Sequence, residues 1–255
     1  MRPVLAIARN TIREALRERI ALVAVVFGLA MVIASQVLAP LALGEGKKIV
    51  TDFGLAGSSL LATMLAVTLG TSLLHKELER RTIYSVMAKP VRRTEFLIGK
   101  FLGLWSTGAA LLAVTTLMVL AVLTVAYRDP SWILAGSLAL TLVEIGIVTA
   151  FVVFFSSFTT PGLAAFFTVT SLVAGHFAED LLYFGTHGAA PALEIATTAA
   201  YWVLPHLTVF NARGLVVHGT PVPPERILFA VAYGLLYMGA LLTAASAIFE
   251  RREFR

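Results

Sequence analysis

The sequence predicts an all-α, polytopic integral membrane protein with six transmembrane helices. Two observations lead to this prediction. First, the 255 residues are 58% hydrophobic and 14% charged, whereas soluble domains average about 45–50% apolar and about 25% charged residues. Second, the apolar residues form six runs long enough to cross a bilayer, which takes about 20 residues in a helix. A soluble domain could not bury this much apolar surface, so that class is excluded.

The six spans are predicted from the hydropathy pattern and together form one transmembrane domain over residues 1–255. A further apolar stretch, Leu193–Leu204, is too short to cross and carries Glu194, which favours a short outer helix between spans five and six. The predicted spans are residues 20–39, 53–74, 101–126, 132–158, 163–184 and 227–249.

Basic residues predict the orientation. Most of the 20 Lys and Arg residues lie in three segments: residues 2–19, residues 76–100 and the C-terminal tail. The positive-inside rule places all three in the cytoplasm. Both termini on one side require an even number of spans, which favours six over seven. We therefore expect a multi-pass protein of the cell (inner or plasma) membrane with both termini cytoplasmic.

Residues 4–19 are typical of an amphipathic helix. Arg9, Arg13 and Arg17 follow one row, and apolar residues recur beside it at helical spacing. This pattern predicts an N-terminal elbow helix lying in the membrane surface. The alternative is a cytoplasmic extension of the first span. The apolar positions are Leu5, Ala8, Ile12, Ala15 and Leu16.

The segment between spans two and three carries unusual charge for a connecting loop. Residues 75–100 include ten charged side chains around the uncharged stretch Thr82–Ala88. Pro90 ends any helix there, because proline lacks the backbone donor and clashes with the preceding turn. The pattern predicts a short cytoplasmic helix that could dock into a groove on a partner. The alternative is an ordinary basic loop.

Four motifs in this segment resemble the corresponding loop of ABC-2-type transporter permeases. They are Glu79-Arg80-Arg81-Thr82, Pro90-Val91, Arg93-Thr94-Glu95 and Gly99-Lys100-Phe101-Leu102-Gly103. Arg81 departs from the pattern, since the family often has Gly there.

Motifs near the C terminus are similar to permeases of the nitrous-oxide-reductase maturation (Nos) type, with His206 where those often have Asn. They are Leu204-Pro205-His206-Leu207, Phe210-Asn211, Tyr233-Gly234-Leu235-Leu236-Tyr237 and Ile248-Phe249-Glu250-Arg251-Arg252-Glu253-Phe254.

The resemblance implies a permease, usually an exporter, that pairs with a second copy or a paralogue and binds two copies of a separate ATPase. The segment 77–89 would then be the coupling helix on which the ATPase docks. The chain contains no G-x-x-x-x-G-K-[ST] phosphate loop, so ATP and Mg²⁺ are expected on the partner and no cofactor, metal or catalytic residue on this chain. The implied docking residues are Glu77, Glu79, Arg80, Arg81, Thr82, Tyr84, Met87, Pro90 and Arg93.

Two other classes compete with this interpretation. A secondary transporter or channel would need no ATPase, but no pair of matching Gly/Pro-broken spans supports it. An intramembrane enzyme is disfavoured, because neither H-E-x-x-H nor G-x-S-x-G occurs. The bilayer is an expected partner and nucleic acid is not.

Two groups of polar residues in the spans are candidate sites. Glu144 lies near the middle of the fourth span, where an ionisable residue is costly and usually faces the bundle interior. It is interpreted either as an intramembrane polar site or, preferably, as a protonated carboxyl bonded to a neighbouring helix. His176, Glu179 and Asp180 share one predicted helix face, which would suit a metal site. A solvated helix end is favoured instead, because the histidines form no tight ligand motif.

Gly99 and Gly103 form a G-x-x-x-G step. It indicates either close helix packing or coincidence in a chain with 19 glycines.

Overall fold

The computed structural model describes residues 2–42, 44–79, 92–129, 132–187 and 191–251. Within those ranges the chain is helical, without strands, which confirms the all-α prediction. Two short 3₁₀ turns, Ala39–Ala42 and Leu207–Phe210, join longer helices. The α-helices are α1 Arg2–Arg17, α2 Arg19–Leu38, α3 Gly46–Glu79, α4 Arg93–Tyr127, α5 Leu134–Ser156, α6 Pro161–His176, α7 Ala178–Thr186, α8 Pro191–Val203, α9 Arg213–Val217 and α10 Pro224–Arg251.

The helices supply the predicted membrane crossings. Among the described residues, α3, α4, α5 and α10 are each long and apolar enough to span a bilayer. Two bent pairs, α1 with α2 and α6 with α7, pass the same test together, which gives up to six spans if each pair forms one. The chain is therefore a multi-pass membrane protein with four to six candidate spans.

The helix α1 agrees with the predicted elbow. It meets α2 at 64° and turns Arg9 and Arg13 outward. Its buried stripe consists of the small residues Ala8, Thr11 and Ala15 rather than the leucines, because α1 packs closely against α4.

Two spans begin earlier than the hydropathy pattern indicates. α3 starts at Gly46 and α4 at Arg93, so both extend beyond their apolar runs through turns that carry charge. Glu95 explains the start of α4, since its carboxylate accepts a hydrogen bond from the Arg92 backbone N–H at 3.0 Å. A glutamate that reaches back to the N-cap in this way is half of a capping box.

The predicted fifth span is not one helix. α6 ends at His176, and α7 leaves it at 69° after the break at Phe177. Gly175 marks the break: a Cβ there would lie 2.7 Å from the carbonyl oxygen of Pro205. The close approach of that segment requires glycine at this position.

The short outer helix is present as α8, and it packs against α7. Two tyrosines of α10 hold the segment that follows it. The Tyr233 hydroxyl accepts a hydrogen bond from the His206 N–H at 3.0 Å. The Tyr237 hydroxyl donates to the Val203 carbonyl at 2.9 Å. The non-helical backbone after α8 is therefore fixed to the last span.

The centre of the bundle is α5, which contacts α3, α4, α6 and α10. Residues 143–153 are buried without interruption, as expected for a helix surrounded by others. In contrast, α2 and α10 expose large apolar side chains such as Leu22 and Leu236. Exposed apolar surface of this extent fits contact with lipid.

Candidate functional site

The predicted coupling segment lies between α3 and α4. Glu77 and Glu79 belong to the last turns of α3, so the helix continues directly out of the second span. Arg93 is the first residue of α4. The docking role of this segment stays a prediction. The other predicted docking residues, Arg80, Arg81, Thr82, Tyr84, Met87 and Pro90, lie outside the described residues.

Arg93 binds another part of the chain. Its guanidinium donates hydrogen bonds to the carbonyl oxygens of Phe249 and Glu250, at 2.9 and 3.2 Å. These carbonyls belong to the C-terminal turn of α10, where unsatisfied acceptors favour a cation. Phe96 stacks on Phe249 with ring centroids 6.3 Å apart. The start of α4 is thus attached to the end of α10.

The next turns of α4 are attached to α1. A Cβ on Gly99 would lie 2.8 Å from Ile7, and one on Gly103 would lie 2.6 Å from Thr11. This confirms the close-packing interpretation of the G-x-x-x-G step. Between the glycines, the Lys100 side chain is 1% exposed, and its Nζ lies 3.7 Å from a carboxylate oxygen of Glu14.

We call residues 93–103 the α4 junction. Within two to three helical turns it contacts both α1 and α10, and it follows the predicted docking segment directly in sequence. Cores packed this closely transmit displacement with little compression. A displacement of the start of α4 would therefore reach both α1 and α10 through the α4 junction.

A second candidate site surrounds Glu144. Its side chain is 9% exposed, and Oε1 lies 3.3 Å from Nε2 of His176. The partner comes from the neighbouring helix α6. His176 does not share a helix face with Glu179 and Asp180, because α6 ends at His176 and the two acids belong to α7. Both acids are exposed, as a solvated helix end requires.

The Glu144–His176 pair lines a cavity of about 500 Å³ between α2, α3, α5, α6 and α9. Asp52 reaches it from α3, and Arg213 from the start of α9. The charged groups share the cavity with apolar side chains including Met31, Phe53, Leu60, Leu172 and Val173. Among the described residues, no three His, Asp or Glu side chains are placed to hold a metal ion.

Sequence reasoning missed Asp52 and Arg213. Asp52 lies one residue before the predicted second span, and Arg213 follows the outer helix by nine residues, so neither carried a local signal. Only the helix packing brings them to the cavity beside Glu144.

Comparison with known proteins identifies the family. A family model described as "ABC-2 family transporter protein" matches residues 5–254, nearly the whole chain. The chain belongs to the ABC-2 transporter family. An ABC-2 protein of this type is a membrane permease, a transport component of an ABC transporter rather than its catalyst. No curated protein matches this chain.

Proposed function

We propose that this ABC-2 protein is the membrane-spanning subunit of an exporter driven by a separate ATPase. Two copies of the ATPase would bind a dimer of this chain or a pair of it with a paralogue. The family match over residues 5–254 carries the proposal. The Nos-type motifs near the C terminus support a relation to that group of permeases.

The arrangement of the helices supports docking at 77–89. α3 runs unbroken to Glu79 and α4 begins at Arg93, so the predicted docking segment starts within one span and is followed closely in sequence by the next. The α4 junction then links it to α1 and α10. Closure of the ATPases on ATP and Mg²⁺, which they rather than this chain would hold, would move these helices together.

Co-purification with the ATPase tests the docking surface. Reversing two charges, Glu79→Arg with Arg80→Glu, should release the ATPase, because like charges then face each other across the interface. The matched control reverses Glu45 and Lys48, an ion pair at 3.0 Å at the other end of α3. That control should retain the ATPase. An ATPase that stays bound to both variants contradicts docking at 77–89.

Transport assays test the energy source. Transport across the membrane of vesicles that contain the complex should stop when ATP is removed, and also when the ATPase is omitted. Transport that continues without ATP and follows a proton gradient would identify a secondary transporter instead.

Residue accessibility tests the orientation. The sequence has no cysteine, so single cysteines can be introduced without further changes. A cysteine replacing Arg9 should react only from the cytoplasmic side of the cell or plasma membrane, and one replacing Glu194 only from outside. The reverse pattern would contradict both cytoplasmic termini.

A further inference from the structure

The cavity beside Glu144 contains four ionisable side chains, but only two of them form a pair. Glu144 and His176 contact each other at 3.3 Å. Asp52 and Arg213 line the same cavity. Among the described residues, neither the Asp52 carboxylate nor the Arg213 guanidinium has a hydrogen-bond or ion-pair partner. They also do not pair with each other.

Asp52 is exposed and Arg213 is partly exposed, so both charges are accessible to a ligand that enters the cavity. Ionisable residues in a membrane-spanning bundle often mark a ligand path. A cation in the cavity would compensate Asp52 and leave Arg213 unpaired. An anion would do the opposite. A ligand with both charges compensates both residues.

The rest of the lining is mostly apolar, with Ser59 and Thr63 as its uncharged polar members. Val173 and Phe177 line the cavity and also a second groove of about 540 Å³ along α6 and α7. That groove is bordered further by Val169, Leu181 and Phe184, and its polar lining residues are Thr170 and Asp180. The charged cavity is thus adjacent to an apolar groove at the break between α6 and α7. The volume of the charged cavity, about 500 Å³, lies within the range of roughly 300–1,000 Å³ that is usual for small-molecule sites.

We propose that the cavity binds a zwitterionic amphiphile. Its ammonium would lie at Asp52, its phosphate or carboxylate at Arg213, and its apolar chain in the groove along α6 and α7. Arg213 suits the anionic group, since a guanidinium binds phosphate or carboxylate through two parallel hydrogen bonds. Only the role of this amphiphile as a transported substrate rests on the proposed function; its binding does not.

Equilibrium binding to the purified full chain tests the site. The probe is lysophosphatidylethanolamine labelled with a fluorophore at the end of its acyl chain. Two probes with the same label, lysophosphatidylglycerol and a long-chain alkylamine, carry only the anion or only the cation. We expect the zwitterion to bind most tightly. Unlabelled glycerophosphoethanolamine, which has the head group without the chain, should compete poorly if the groove holds the chain.

Two variants locate the charges. Asp52→Asn should weaken binding of the zwitterion and the alkylamine, and Arg213→Gln that of the zwitterion and lysophosphatidylglycerol. Each loss should reach about tenfold or more, as for a hydrogen bond to a charged group. Glu194→Gln and Arg128→Gln remove exposed charges outside the cavity and should bind like the unmodified chain.

Equal binding of the three labelled probes by the unmodified chain would overturn the proposal without any variant. So would equal losses in the cavity and control variants. If glycerophosphoethanolamine competes as well as the amphiphile does, the groove along α6 and α7 does not hold the acyl chain. A chain that captures the ATPase but does not select the zwitterion refutes this site alone. A chain that selects the zwitterion but never captures the ATPase refutes the proposed function alone.

Discussion

The packing of α1 on the α4 junction can be tested by adding one methyl group. Gly103→Ala places a Cβ 2.6 Å from the Thr11 Cβ and 2.9 Å from the Ala8 carbonyl oxygen. One of these contacts is with backbone, which no rotamer change can relieve. α1 must therefore move away from α4 as a unit.

The size of the effect follows from the contacts. Carbon atoms pack best at about 3.5–4.0 Å, so the two helices must separate locally by about 1 Å. Overpacking of this kind costs about 1–3 kcal/mol. Since about 1.4 kcal/mol is a factor of ten, undocking of α1 should become roughly 5- to 140-fold more frequent.

Cysteine labelling measures that change. Ala15 is fully buried, so Ala15→Cys should react with a maleimide only when α1 undocks. Adding Gly103→Ala should raise the labelling rate of this cysteine by the same factor as the undocking of α1.

The matched control is Gly239→Ala in α10, where an added Cβ meets nothing within 4 Å. It should not change the labelling rate of the same cysteine. If Gly103→Ala also leaves the rate unchanged, α1 does not pack on α4 as described.

Three further predictions concern side-chain contacts. Glu144→Ala should lower the free energy of unfolding by about 1–3 kcal/mol, since it leaves half-buried His176 without its partner, whereas Glu144→Gln retains an acceptor and should cost less. Arg93→Met removes both bonds to the end of α10 and should speed trypsin cleavage of the C-terminal tail. Tyr233→Phe and Tyr237→Phe should each cost about 0.5–1.5 kcal/mol of unfolding free energy, the usual net value of a hydrogen bond.

Each of these has a control in the same chain. The controls change exposed side chains and should leave the measured property unchanged. Glu194→Ala and Tyr183→Phe are the controls for thermal unfolding, and Arg92→Met is the control for proteolysis. Equal effects of a variant and its control would contradict the contact concerned. For Glu144, a double-mutant cycle with His176→Ala should show coupling; additive losses would mean that the pair contributes nothing.

The features that depend on local pattern could be predicted from sequence. The spans, the elbow and the outer helix each follow from hydropathy or from the row of arginines, and the arginine row of α1 is exposed as expected. The start of α4 was harder to predict. Glu95 is the residue that indicates it, but hydropathy alone places the start of the span after the charged first turn.

Features that depend on packing between distant segments could not be predicted. The break at Phe177 has no proline, and Gly175 beside it lies against Pro205, 30 residues later in the chain. The Glu144–His176 contact likewise joins two helices. A side chain's partner on another helix depends on how the helices are arranged, which periodicity within one helix does not specify.

The seating of α1 also bears on the order in which the protein assembles. α1 is synthesised before α2 and α3, yet the groove that receives Ala8 and Thr11 is formed by Gly99 and Gly103 of α4. Until α4 has entered the bilayer, the small-residue stripe of α1 has no such groove, and the helix can only lie at the lipid surface as an amphipathic helix does. The packing of α1 is therefore completed by a helix that is made later. Nascent chains that stop before residue 99 should leave α1 undocked.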